Sequence, residues 1–128
     1  MSVDCPFCRP ARDRVLHDDG LVFVLRDGFP VSPGHVLVVP HRHVGSFFDT
    51  TADERRAILE SLDVAKRAVE QAHHPDSWNI GINDGSAAGQ TVHHLHVHLI
   101  PRYRGDRPDP RGGVRWILPE KADYWTKS

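Results

Sequence analysis

The sequence predicts an α+β fold in which an antiparallel sheet packs against one main helix. Two apolar segments typical of strands, at 21–27 and 35–40, precede a long amphipathic segment, and two further strand segments follow it at 77–83 and 91–100. Because one helix separates two pairs of strands, an antiparallel sheet with the helix on one face is the simplest arrangement. A chain of 128 residues has the size of one domain, so we expect a single domain over residues 1–128.

The predicted strands are joined by segments that favour turns. LVFVLRD is apolar and β-branched, and HVLVVP is stopped by Pro40. Between them, GFPVSPG at 28–34 contains two glycines and two prolines. In the second pair, SWNIGIN is followed by the glycine-rich turn DGSAAGQ at 84–90, and the last strand, TVHHLHVHLI, is expected to end at Pro101.

The segment 50–75 is the one strong helix prediction. Thr51 and Glu54 have the spacing of a capping box, and Pro75 marks the end of the helix. Apolar residues recur every three or four positions and form one stripe that the sheet can cover. The stripe consists of Ile58, Leu62, Ala65, Val69 and Ala72.

The C-terminal tail, residues 102–128, is rich in proline and glycine and is expected to lie over the surface of the domain. Within the tail, residues 114–118 are a candidate for a short extra strand. The side chains of Trp116, Tyr124 and Trp125 need cover, either from the body of the domain or from a dimer partner. The sequence leaves both arrangements open.

The composition is that of an ordinary globular protein and excludes some functions. The formal net charge is -1, so the chain lacks the broad positive surface of a nucleic-acid-binding protein, although the arginines at 102–115 leave room for a local anion site. No stretch approaches the ~20 apolar residues of a membrane span, and the N-terminus lacks the apolar core of a secretory signal. We therefore expect a cytoplasmic protein that binds neither nucleic acid nor membranes.

Four of the ten histidines lie within six consecutive positions, 93–98. Alternate side chains of a strand share a face, so three of these histidines point the same way. They are His94, His96 and His98. The apolar residues next to them point to the opposite face, towards the core beneath the helix, and are Leu95, Val97 and Leu99.

These three histidines are too widely spaced to bind one metal ion together. His94 and His98 are ~13 Å apart along a strand, whereas a Zn–N bond measures ~2.0–2.1 Å. At most two adjacent members share an ion comfortably, so the histidines divide their roles. A neutral imidazole is a competent nucleophile towards phosphorus or a carbonyl carbon.

The glycine-rich turn leads directly into the histidines. Its glycines, Gly89 among them, allow backbone N–H groups to converge on an oxyanion, and Gln90 and Thr91 add polar side chains. A turn of this kind followed by nucleophilic imidazoles indicates a phosphate ester or anhydride as substrate.

The stretch HLHVHLI at 94–100 alternates histidine with apolar residues in the pattern of the histidine triad superfamily, which it resembles. GQTVHHLHVHLIPR at 89–102 is similar to the nucleotide-hydrolase branches of that family, and PGHVLVVP at 33–40 is similar to its other diagnostic strand. The resemblance covers residues 5–102. The segment 105–125 resembles a bacterial subgroup often labelled diadenosine-tetraphosphate-hydrolase-like.

The resemblance implies an activity and three catalytic residues. Members are small α+β domains that commonly pair into homodimers with a continuous sheet, and they cut purine nucleotides at the α-phosphorus. By position, His96 would be the nucleophile that forms a nucleotidyl-histidine intermediate, and His98 and His35 would contact the phosphates. His98 is the third member of the triad. By resemblance, histidine at this position favours hydrolysis over uridylyl transfer, because the uridylyltransferase branch carries glutamine there.

The resemblance also implies a nucleotide-binding site. Asp27 would accept hydrogen bonds from the ribose hydroxyls, and Leu25 and Leu37 would line the base pocket. Asn83 stands where the dinucleoside triphosphate hydrolase branch carries glutamine, and this shorter amide leaves the preferred length of the phosphate chain open. The residues expected to bind phosphate oxygens are Asn83, Gly89, Gln90 and Thr91.

Cys5 and Cys8 form a C-x-x-C motif, which in a reducing compartment indicates metal or redox chemistry more often than a disulfide. A redox pair normally lies between a strand and a helix, whereas this motif stands in an irregular N-terminal segment. Zinc needs four ligands, so two must come from elsewhere. The zinc-bearing branch of the family implies that they are His43 and His94, with His41 as the alternative to His43, and that the zinc is structural.

Three functions remain in competition. The first is a nucleotide hydrolase acting on dinucleoside polyphosphates or nucleotide adducts, and the second is a phosphoramidase that cleaves the P–N bonds of adenosine phosphoramidates. The third is a zinc-stabilised nucleotide-binding module without turnover. Both enzymatic functions need His96, and the intact triad argues against the third.

Overall fold

In the computed structural model, which describes residues 5–127, a five-stranded antiparallel sheet forms the centre of the fold. The strands are β1 (Val15–Asp18), β2 (Val22–Arg26), β3 (Val36–Pro40), β4 (Ser77–Gly81) and β5 (Val97–Arg102). Their order in the sheet is β1-β2-β3-β5-β4, and every neighbouring pair is antiparallel. The predicted α+β fold is confirmed. The ends of the predicted domain, 1–4 and 128, lie outside the described residues.

The main helix, α1 (Ala52–His73), lies on one face of the sheet. Its first turn is closed by the predicted capping box: the Thr51 hydroxyl accepts from the Glu54 N–H (3.0 Å), and the Glu54 carboxylate accepts from the Thr51 N–H (2.8 Å). The helix ends at His74, which adopts the left-handed conformation. No helix in the described part of the chain combines the length and the apolar character that crossing a membrane requires.

The sheet separates two hydrophobic layers. Between the sheet and α1, the buried members of the predicted stripe are Ile58, Ala65 and Val69. Ala72 lies in the last turn of the helix, which the sheet does not cover, and it is exposed. On the opposite face, a second layer brings the N-terminal segment against β2 and β3, and it consists of Cys5, Phe7, Phe23, Leu25, Leu37 and Val39.

The edge strand β1 is not expected from the sequence. The sequence VLHD contains no apolar run that would indicate a strand. In the structure its residues alternate between half-buried and exposed. The register is interrupted between Val15 and His17, which is common at sheet edges. This strand exists because β2 offers it a partner, not because of its own composition.

The last strand begins and ends later than predicted. Residue 91 is not in the sheet, since β3 pairs with β5 only as far as Val97 and β4 only as far as His98. Pro101 lies inside the strand and does not end it. Its carbonyl accepts a hydrogen bond from the Ser32 hydroxyl (2.7 Å) on the side where β3 no longer runs, so the missing N–H costs no ladder bond.

The predicted strand at 114–118 is wrong. These residues belong to a short 3-10 helix, Gly113–Ile117, followed by the short helix α2 (Pro119–Ala122). Gly112 and Gly113 both have positive φ values, 94° and 48°, which turn the chain out of the extended conformation.

The aromatic residues of the C-terminal tail pack on one another. The Trp125 ring lies 6.5 Å from that of Trp116 and 5.5 Å from that of Tyr124, and the Arg111 guanidinium is 5.0 Å from the Trp125 ring. Trp116 and Tyr124 nevertheless remain 45% and 62% exposed. The tail therefore supplies part of its own cover, and a dimer contact stays a prediction.

Candidate active site and metal centre

Three of the predicted histidines meet on the face of the sheet opposite α1. His98 lies in β5 beside Leu37 of β3, and His35 immediately precedes β3. The His98 ring lies 5.2 Å from the His96 ring and 5.2 Å from the His35 ring. His94 turns away from this group and is fully buried, so the row divides into two sites.

Hydrogen bonds define which nitrogen of His35 and His98 carries a proton. The Val31 N–H can only donate, so His35 Nδ1 accepts from it (3.2 Å) and the proton of His35 is on Nε2. That Nε2 lies 3.0 Å from His98 Nδ1 and 3.4 Å from Asp27 Oδ2. Because His98 Nδ1 accepts from His35, His98 presents its own N–H at Nε2, on the far side of the ring.

His96 is held in the opposite tautomer. Its Nδ1 lies 2.9 Å from the His94 carbonyl oxygen, which can only accept, so Nδ1 carries the proton and Nε2 keeps its lone pair. The Phe7 ring packs against His96 with a centroid distance of 4.9 Å. The site thus combines one imidazole with a free lone pair and a second imidazole that donates.

Burial favours the neutral forms of His98 and His35. Burial, together with the neighbouring His96 and His35, lowers the pKa of His98 to about 4, while Asp27 opposes the shift. Burial also lowers the pKa of His35, against the opposing charge of Asp27. At neutral pH, His98 is therefore a hydrogen-bond donor and not a cation.

The protein is expected to lose stability as the pH falls from about 6.5 to about 4. The unfolded chain protonates His98 near the ordinary pKa of 6.5, whereas the folded protein does so only near 4. The unfolded state binds more protons in this window, so the free energy of unfolding decreases with acidification. Urea unfolding at several pH values should show a smaller decrease for His98→Asn than for the wild type, and the exposed His93→Asn should match the wild type. Equal decreases in wild type and His98→Asn would contradict this.

Asp27, Leu25 and Leu37 lie next to the group formed by His35, His96 and His98. The carboxylate of Asp27 accepts from the Phe29 N–H (2.8 Å) through Oδ1 and faces His35 through Oδ2. Leu25 pairs with Leu37 across β2 and β3, and Leu37 pairs with His98, so the three side chains form a row. The two leucines are buried at 0% and 3% exposure beneath the N-terminal segment.

The glycine-rich turn is held together by Gln90. Its side-chain oxygen accepts from the Gly85 N–H (2.8 Å), and its NH₂ donates to the carbonyl oxygens of Gly45 (2.9 Å) and Val92 (3.1 Å). Gln90 is buried and its amide is engaged within the protein, so the structure assigns it to the shape of the loop. The other residues expected to bind phosphate are exposed at the surface and are Asn83, Gly89 and Thr91.

Cys5, Cys8, His43 and His94 come together in a second site. Their ligand atoms all lie within 4.8 Å of one another. His94 Nδ1 is 3.2 Å from His43 Nδ1 and 3.3 Å from Cys5 Sγ, and Cys8 Sγ is 3.0 Å from His43 Nδ1. A tetrahedral ion with Zn–N and Zn–S bonds of ~2.0 and ~2.3 Å separates its ligand atoms by about 3.3–3.8 Å. The observed distances are compatible with such an ion after small side-chain adjustments.

The surroundings of this cluster support metal binding. His94 Nε2 donates to the Pro40 carbonyl oxygen (2.8 Å), which leaves the Nδ1 lone pair directed at the cluster. Both cysteines are free thiols. His41, the alternative ligand, instead bonds to Asp18 Oδ1 (2.8 Å) outside the cluster. The four residues could therefore hold one metal ion, and His43 is the fourth member.

Two contacts in the site are not indicated by the sequence pattern. Phe7 lies between the two cysteines in the chain and packs on both His96 and His94, at 4.9 and 5.9 Å. Val31 fixes the tautomer of His35 through its backbone. In the sequence, these contacts are indicated only by the aromatic residue within C-x-x-C and by the position of Val31 in the loop before β3.

A histidine row of this form on this sheet defines a class of nucleotide-binding proteins, and comparison with known sequences gives the family. The model of the HIT domain matches residues 9–105, and the chain belongs to the HIT family. The resemblance noted in the sequence is confirmed at this level.

Curated relatives are similar over about half of their own length. The asymmetrical bis(5'-nucleosyl)-tetraphosphatase of Schizosaccharomyces pombe is 44% identical over 60% of this chain and 42% of the relative. The bis(5'-adenosyl)-triphosphatase of Saccharomyces cerevisiae is 34% identical over 88% of this chain and 52% of the relative. Both relatives are hydrolases of dinucleoside polyphosphates by name.

A solved structure matches nearly the whole chain. The Zn-bound histidine triad family protein of Mycobacterium smegmatis is 31% identical, with a TM-score of 0.74 over 91% of this chain and 92% of that chain. The likeness therefore covers more of the chain than the residues 9–105 that match the family model. It also shows that a close structural relative is a zinc protein.

Proposed function

We propose that this protein is a nucleotide hydrolase that cleaves purine dinucleoside polyphosphates or nucleotide adducts at the α-phosphorus through a nucleotidyl-His96 intermediate. The observation that carries the proposal is the tautomer of His96, whose Nδ1–H is bonded to a backbone carbonyl so that Nε2 is free to attack. The activities named for the two fungal relatives support the same reaction class.

In the first step, His96 Nε2 attacks the α-phosphorus while the bond to the leaving oxygen breaks, and that oxygen keeps the electron pair. The imidazole becomes cationic, and the hydrogen bond from Nδ1 to the His94 carbonyl stabilises the charge. The Nε2–H of His98 donates to a phosphate oxygen in the transition state, a contact oriented by His35. In the second step, water attacks the phosphorus, the P–N bond breaks with its electron pair returning to His96 Nε2, and the proton lost by the water is released to solvent.

The nucleotide itself would be bound beside the triad. Asp27 lies next to His35 and has a carboxylate oxygen that can accept from ribose hydroxyls. Leu25 and Leu37 form the apolar row that leads to His98 and, buried as they are, would line the base pocket only from beneath its surface. Several N–H groups of the turn at 84–91 are bonded within the turn, so the exposed side chains of Asn83 and Thr91 beside it would contact the phosphate oxygens.

We also propose that the metal is one structural Zn²⁺ ion held by Cys5, Cys8, His43 and His94. The donor set and its spacing suit tetrahedral zinc, and a relative of the same architecture is zinc-bound. When bound, zinc would cross-link the N-terminal segment to the sheet. Cytoplasmic residence and a homodimer, with the tail packed on the body or on the partner, complete the proposal.

Trapping the covalent intermediate tests the proposed mechanism. Rapid acid-free quenching of a reaction with a nucleotide labelled on the α-phosphorus should give labelled protein, stable to base and labile to acid as a P–N bond is. Peptide mapping should place the label on His96, and His93→Ala, which removes an exposed neighbour, should label normally. A label on another residue, or turnover without any labelled protein, would contradict the proposal.

A further inference from the structure

An open cavity of about 680 Å³ lies beside the triad on the same face of the sheet. Its floor includes Ile100 of β5 and Asn79 of β4, which pair directly across the two strands. Ile100 is two positions beyond His98, so it lies roughly 7 Å further along the strand on the same face. At the rim is Val31, whose N–H is bonded to His35. The cavity thus lies next to His35 and His98, although neither histidine lines it.

The other wall of the cavity comes from the C-terminal tail, beyond the residues 9–105 that match the family model. Gly113 rests on the floor, since a Cβ there would lie 3.4 Å from Asn79 Nδ2. Trp116 is fixed by a hydrogen bond from its Nε1–H to the Arg111 carbonyl (2.7 Å) and still leaves 45% of its surface exposed. The tail therefore gives the cavity an aromatic wall that is held in place by hydrogen bonding. This wall lies outside the segment that the family model matches.

The charges around the cavity leave one cation free. Arg102 is paired with Asp106 at 2.8 Å, and Asp109 is paired with Arg111 at 2.9 Å. Arg107 also lines the cavity, and within the described residues it has no carboxylate partner. The cavity consequently offers an aromatic face and one guanidinium that has no carboxylate partner among the described residues.

We propose that this cavity binds the leaving half of a dinucleoside polyphosphate, with its base on Trp116 and its phosphates near Arg107. The inference rests on the proposed function, because it requires cleavage at His96. An aromatic base matches the indole and the aliphatic floor, and the phosphates match the free guanidinium. A simple amine has neither a ring nor a negative charge, so the cavity favours polyphosphates over phosphoramidates as substrates.

The test compares two substrates that share the adenylyl group and differ in the leaving group. Diadenosine tetraphosphate has a nucleotide as its leaving group, whereas adenosine 5′-phosphoramidate releases only ammonia. The ratio of their kcat/KM values should fall roughly 5- to 150-fold in Trp116→Ala, the range expected for loss of base stacking. Arg107→Gln should lower the ratio several-fold, and the difference should shrink at high salt.

Ile117→Ala is the matched control, because Ile117 belongs to the same 3-10 helix, is 80% exposed and does not line the cavity. It should keep the wild-type ratio. An unchanged ratio in both Trp116→Ala and Arg107→Gln would overturn the inference. An equal loss with both substrates, accompanied by a change of oligomeric state in size-exclusion chromatography, would also overturn it and would assign the tail to a contact with a second copy. A wild-type protein that cleaves neither substrate would instead refute the proposed function.

Discussion

Replacing His96 by alanine is expected to lower turnover by several orders of magnitude while the fold and the metal content are retained. Removing a covalent nucleophile removes the reaction path itself, so the loss exceeds that of a residue which only assists. The side chain is half-buried and makes one hydrogen bond, to the His94 carbonyl, so its loss costs the fold little. Single-turnover kinetics, with circular dichroism and metal analysis on the same sample, measures all three properties.

His98→Ala provides the comparison for this result. A hydrogen-bond or proton donor contributes about 10²–10⁴-fold, so this variant should retain more activity than His96→Ala. A His96→Ala protein with wild-type turnover would show that the nucleophile lies elsewhere. A smaller loss in His96→Ala than in His98→Ala would reverse the assigned roles.

Disrupting the metal site is expected to have the largest effect on stability. Metal analysis should find one zinc ion per chain in protein purified without added metal, and Cys5→Ser should lose it. Cys5 is buried and its Sγ lies 3.3 Å from His94 Nδ1, so the variant frees both the N-terminal segment and the segment before β5 that contains His94. A loss of several kcal/mol lowers the Tm by roughly 3–4 °C for each kcal/mol in a domain of this size.

His41→Ala is the matched control for the zinc prediction. His41 was the alternative ligand, but it bonds to Asp18 outside the cluster, so this variant should keep its zinc. Differential scanning calorimetry with and without a chelator separates the effects of metal loss from those of the substitution. A metal-free wild type, or a Cys5→Ser protein with full zinc content, would refute the assignment.

The regular parts of this protein follow from local patterns in the sequence. The capping box at Thr51 and Glu54 and the apolar stripe of α1 are short-range features, and the structure contains both. The alternation of histidine and apolar residues at 94–99 correctly places Leu95, Val97 and Leu99 in the core, whereas His94 is itself buried and belongs to the second site. Periodicity of this kind depends only on backbone geometry, so it can be recognised without knowledge of the partners.

The remaining features depend on partners that a local pattern does not contain. The start of β5 at Val97 is set by where β3 and β4 end, and β1 depends on β2 as its neighbour. The 3-10 helix of the tail follows from the positive φ of Gly112 and Gly113, whereas its sequence, VRWIL, has the composition of a strand. The tautomers of His35 and His96 are set by the backbone groups of Val31 and His94.

The position of Phe7 affects how the inhibition of activity by chelators should be interpreted. Phe7 lies between two proposed metal ligands in the chain and packs on His96, the proposed nucleophile, at 4.9 Å, so withdrawal of the ion would release a wall of the candidate active site. A chelator would therefore inactivate the enzyme although the ion touches none of the reacting atoms. Inhibition by chelators, reversed by zinc, would report on the integrity of this wall, and the cellular supply of zinc would set the fraction of competent molecules.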